Sequence, residues 1–152
     1  MSLDVRIVQL QCCDSSALWS IIATNQYRHW TSTLHTIADL KEGLLKNVSR
    51  LQLSEELTEF PMEIYQLADT LEILDLSNNK LSELPADFGT LSNLKILFLS
   101  DNLFEAVPTV LADCPNLEMI GFKANQIVTI PENALPLTTR WLILTDNKID
   151  KL

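Results

Sequence analysis

Only three glycines, Gly43, Gly89 and Gly121, occur in the 152 residues, and they stand far apart. A glycine-rich loop that could wrap a nucleotide's phosphates is therefore absent. The three cysteines, Cys12, Cys13 and Cys114, are odd in number and include an adjacent pair, which argues against a disulfide framework. Paired CxxC spacing is missing, so no structural zinc site is indicated and no metal is expected. His29 and His35 both lie in the first quarter of the chain and belong to no Ser, His and Asp set. The acid pair Glu55-Glu56 would face opposite ways on a strand and cannot act as a general acid and base. These absences describe a chain with no catalytic residues and no cofactor.

Basic residues are scarce as well. Eleven Lys and Arg face twenty Asp and Glu, giving a formal net charge of -9. Residues 1–50 are nearly balanced, so the acidity belongs to residues 51–152. Neutralising phosphates takes clustered Lys and Arg, which excludes nucleic acid and anionic membrane as expected partners. The sequence has no apolar run long enough to span a bilayer, and its first residues lack a clean hydrophobic segment with a cleavage site after it. A cytoplasmic location is expected, so the sequon Asn47-Val48-Ser49 is an acceptor in form only.

What the chain does have is a repeat. Residues 71–85, LEILDLSNNKLSELP, are matched 23 residues on by 94–108, LKILFLSDNLFEAVP, and again by 117–131, LEMIGFKANQIVTIP. A further copy, WLILTDNKIDKL at 141–152, comes one residue early, with Thr139 where a leucine is expected. Leu74 and Leu76 alternate with Ile73, Asp75 and Ser77, which predicts a short strand with leucines inward and variable side chains outward. Asn79, Asn102, Asn125 and Asn147 fall in one column. An amide carries both the donors and the acceptor that turning backbone needs, which a carboxylate does not. Pro85, Pro108 and Pro131 remove a donor where the chain leaves for the opposite side. A single copy buries little apolar area, so the copies must fold as a stack.

The pattern LxxLxLxxNxLxxLP, preceded by LPxxFxxLxxL as at 84–94, resembles the leucine-rich repeat family of the intracellular type. The runs IGFKANQI at 120–127 and RWLILTDN at 140–147 are similar, more narrowly, to repeat arrays that precede a kinase domain in bacterial and plant proteins. The resemblance implies an α/β leucine-rich repeat solenoid, a short horseshoe with a parallel β-sheet on its concave face. It also implies a protein-recognition role, and the narrower likeness implies an attached kinase with a signalling function. The kinase domain itself is not in this chain.

The chain divides into three regions. Residues 1–32 form an N-terminal extension without repeat columns, with one short strand within residues 5–12 and a helix near residues 17–23. Residues 33–47 place Leu34, Ile37, Leu40, Leu44 and Leu45 on one helical face, which predicts a capping helix begun by Thr33. Residues 48–152 hold four to five repeats. The first is degenerate, with Glu55 or Glu56 near the Asn column, and the last is incomplete. Its leucine edge is expected to be open, which predicts fraying or self-association. The outward strand positions gather Ile96, Phe98, Met119, Trp141 and Ile143 into an apolar patch, with Gly121 leaving a dip and Lys123 as the basic residue beside it. An exposed patch of this kind marks a protein partner's site, or a surface covered inside a longer protein.

Overall fold

The computed structural model describes the backbone of residues 6–8 and the whole of residues 35–149. Six three-residue strands form one parallel sheet. They are β1 (Arg6–Val8), β2 (Arg50–Gln52), β3 (Ile73–Asp75), β4 (Ile96–Phe98), β5 (Met119–Gly121) and β6 (Trp141–Ile143). The order across the sheet is β1-β6-β5-β4-β3-β2.

From β2 to β6 each strand pairs with the next in the register set by the repeat. The central residues, Leu51, Leu74, Leu97, Ile120 and Leu142, are fully buried in one column. Phe104 and Phe122 extend the core under the turns, meeting edge to face with centroids 5.4 Å apart. On the convex side the chain returns through short 3-10 segments, Met62–Leu67, Phe88–Thr90 and Thr109–Asp113. These pack as tightly as glycine permits. A Cβ on Gly89 would stand 2.6 Å from Asp113 Cβ.

The asparagine column binds backbone as its chemistry requires. Asn102 Oδ1 accepts from the Leu81 N–H at 3.0 Å, while Nδ2 donates to the carbonyls of Leu76, Leu99 and Ser100. Asn79, Asn125 and Asn147 repeat the arrangement one rung away each time. Just before each asparagine the backbone turns left-handed, at Asn78, Asp101, Ala124 and Asp146. In the degenerate first repeat Glu56 takes a left-handed turn too, and Asn79 of the following repeat accepts from both Glu55 and Leu57. Thr139 replaces a leucine without leaving an orphan, because its hydroxyl and that of Thr138 donate to the Leu117 carbonyl.

The helix at the β2 end is shorter than the apolar spacing predicts. Helix α1 spans Ile37–Lys41, and its N-cap is Thr36. Thr36 and Asp39 form a reciprocal capping box at 3.1 and 3.3 Å. The helix stops at Gly43, whose φ of 72° is the left-handed turn of a Schellman ending. Gly43 N–H donates to Leu40 and Leu44 N–H to Asp39. Leu40 is buried, but Leu44, now past the end, is 67% exposed. Thr33 and the helix expected near residues 17–23 lie outside the described residues.

The other edge also departs from expectation. The side of β6 that faces away from the array is not open, because β1 pairs with it in parallel, Ile7 opposite Leu142. A segment with no repeat pattern thus holds the register position of a further repeat.

Candidate functional site

The outward residues of the sheet are set by the same alternation that buries the leucines. With Leu74, Leu97, Ile120 and Leu142 inward, their neighbours must point to the concave face. One-strand spacing then aligns Ile73, Ile96, Met119 and Trp141 across β3 to β6, and Phe98 beside Gly121 and Ile143. The structure therefore brings together five of the six residues singled out in the sequence. Lys123 lies two residues past the end of β5, partly exposed.

The patch is not open. Ile96 is 2% exposed, Ile143 5%, Phe98 8% and Met119 9%. Ile73, Ile96, Phe98 and Met119 form a cluster of their own, and Trp141, partly buried, packs against it. Large side chains one strand apart on a concave surface cover one another, which the sequence pattern alone does not disclose. Nor does Gly121 leave a dip. A Cβ there would lie 2.9 Å from Phe98 Cδ1, so the phenyl ring already fills the space that glycine frees.

At the β2 end the same face turns polar. Asp75 is 6% exposed, and its Oδ1 accepts from the Ser77 N–H at 2.9 Å. Burial lowers the Arg50 pKa, and the neighbouring Asp75 carboxylate opposes that shift. His35 closes this edge of the sheet. Its backbone N–H donates to the Gln52 carbonyl at 2.9 Å, and its Nδ1 accepts from the Gln52 N–H at 3.2 Å. Burial lowers the His35 pKa, Arg50 lowers it further and Asp39 works against both. The sequence pattern singles out none of Arg50, Asp75 and His35 as site residues. A signal was available for two of the strand positions, since one period of 23 takes Arg50 to Ile73 and Gln52 to Asp75.

Chemically the site is a floor of tightly packed apolar groups with a polar end. Cys114 is buried beneath the convex turns, and its thiol is pushed up to about 12, chiefly by burial and then by Asp113. A neutral, enclosed thiol is not a nucleophile. Among the described residues no group of three or more His, Cys, Asp or Glu could hold a metal ion, and no helix is long and apolar enough to cross a membrane.

Residues 69–127 match the family model described as leucine rich repeat. The chain carries leucine-rich repeats. A plant intracellular Ras-group-related LRR protein of Oryza sativa subsp. japonica is 35% identical over 83 residues, which is 55% of this chain and 26% of the rice protein. Among solved structures, a leucine-rich repeat protein of Leptospira interrogans is 31% identical with a TM-score of 0.54, over 70% of this chain and 26% of its own. The leucine-rich repeat ectodomain of an Arabidopsis thaliana receptor kinase is 26% identical with a TM-score of 0.49, over 78% of this chain and 67% of its own. The chain thus spans about a quarter of the rice and Leptospira proteins. The fold is the α/β solenoid of leucine-rich repeats.

Proposed function

We propose that this chain is a protein-binding module of the cytoplasm that receives a partner on the concave face of its repeats. One observation carries the reading. The outward side of the sheet carries a large apolar residue on each of four successive strands, where a face turned to water alone would be polar. Trp141 and Lys123 are the accessible groups, and Ile96, Phe98, Met119 and Ile143 are the bed beneath them. Trp141 contributes contact area, whereas Lys123, basic in an acidic domain, selects a partner that offers a carboxylate. The name of the rice relative, an intracellular protein, supports the location.

A second reading starts from the same apolar face. In it the face is covered within a longer polypeptide, and the repeats are the regulatory segment of a protein kinase. The two readings separate on variants of residues that are only partly buried. With Trp141→Ala and Lys123→Glu, recognition requires weaker capture of a partner at an unchanged melting temperature. A role in packing requires a lower melting temperature and unchanged capture. Equal capture by wild type and both variants would remove the concave face from consideration.

A further inference from the structure

A second surface lies away from the sheet, on the turns that come after the asparagines. There the repeats beginning at Leu71 and Leu94 part to leave a groove of about 740 Å³. The cause is visible in the backbone. One rung further on, the corresponding segments are joined, because Val128 N–H donates to Glu105, Val107 N–H donates to Thr129, and Ala106 and Thr129 form a parallel bridge. Between residues 82–84 and 105–107 no such backbone bond occurs among the described residues. The groove opens where the ladder is missing.

Its walls are of two kinds. Leu84, Val107 and Val110 line it with Leu103, and the last is 44% exposed at a column position where the neighbouring repeats have Lys80, Gln126 and Lys148. This apolar side chain lies outside the core, which Phe104 of the same repeat, fully buried, already fills. Glu83 and Glu105 stand exposed on the rim. Lys80, one rung back in the Leu103 column, does not line the groove, whose charged lining groups are Glu83 and Glu105.

We infer that this groove takes an extended peptide segment of a partner protein, seating one aliphatic side chain on Leu103 with a Lys or Arg beside Glu83 and Glu105. The lining suits such a segment, since its apolar floor accepts an aliphatic side chain and its two rim carboxylates attract a cation beside it. The acidic rim supplies orientation and association rate, which makes the interaction sensitive to salt. The inference stands apart from the concave face and shares no residue with it.

The probes are terminally blocked, fluorescein-labelled nonapeptides with a central leucine. One set has lysine and arginine flanks, one has glutamate flanks, and one has the basic flanks with serine in place of leucine. Anisotropy titrations against the full chain should show binding by the basic, leucine-bearing set only, weakened by raising the salt to about 0.5 M. Leu103→Lys, a residue that adjacent rungs already hold in that column, should weaken binding roughly tenfold or more at an unchanged melting temperature. Glu105→Lys should weaken it as well, and Trp141→Ala should leave it unaltered. Absence of binding by the basic set, equal binding by the glutamate set, or equal binding by Leu103→Lys would each overturn the inference. Loss of binding with Trp141→Ala would overturn it too, by moving the site to the concave face.

Discussion

At Asn102 one buried side chain serves four backbone groups, and a single atom change tests whether all four matter. Asn102→Asp keeps the shape and the acceptor but replaces three donated bonds with a carboxylate facing the carbonyls of Leu76, Leu99 and Ser100. Leaving buried groups unsatisfied costs about 1–3 kcal/mol, and more when a charge is involved. Asn102→Asp should therefore unfold at lower urea concentration than Asn102→Ala, with the same m-value, and equal midpoints would refute a penalty from the buried charge. The column is legible in the sequence because the amide recurs at a fixed period. The closure of Phe98 and Ile96 is not, because period and alternation say which way a side chain points and not how far its neighbours on a curved sheet lean over it. Gly121 illustrates the limit. Its missing Cβ could mean an empty space or a filled one, and only the position of the Phe98 ring decides.

Helix α1 shows how much of an element hangs on its ends. The apolar spacing from residue 34 to 45 reads as one helix, but the spacing of leucines carries no stop signal, and Gly43 and the pair Thr36 and Asp39 do. What joins this cap to the sheet is His35, whose Nδ1 accepts from β2 and so requires a neutral ring. The pKa of His35 is lowered in the folded chain, so below the unfolded value of about 6.5 the unfolded state takes up more protons. The contribution of His35 is fully present above that pH and is lost as the pH falls from there toward the lowered folded value. Amide exchange at Gln52 and in α1 should accelerate as the pH falls below about 6.5, once corrected for the intrinsic pH dependence of exchange, and His35→Gln should flatten that dependence. Exchange in α1 that depends on pH identically in wild type and His35→Gln would disprove the link. Glu55 also holds the helix, accepting from the Ile37 N–H at 2.8 Å, and it is an independent handle on the same end.

Across the whole molecule the sheet has a different boundary from the one the repeats suggest. The pairing of β1 with β6 places residues 6–8 beside the far end of the array, and only the register of the fold, not any motif within those residues, discloses this. Val8→Pro removes a donor from a three-residue rung and should free the far side of β6. Hydrogen exchange at Trp141–Ile143 should then rise, and light scattering should report association through the uncovered edge. A monomer with unchanged protection at those amides would show that β1 adds nothing to the array. The same rung alters the order of events in folding. From β2 to β6 every strand pairing joins near neighbours in sequence, and such low contact order allows nucleation anywhere and rapid propagation. The β1 rung has the highest contact order of the six described strands, since residue 6 must find residue 141 across the intervening repeats, and of these strands β6 is the last to leave the ribosome. Of the described strands, the earliest in sequence is thus the last that can pair, and the slowest phase of refolding should report on β1 and not on the repeats.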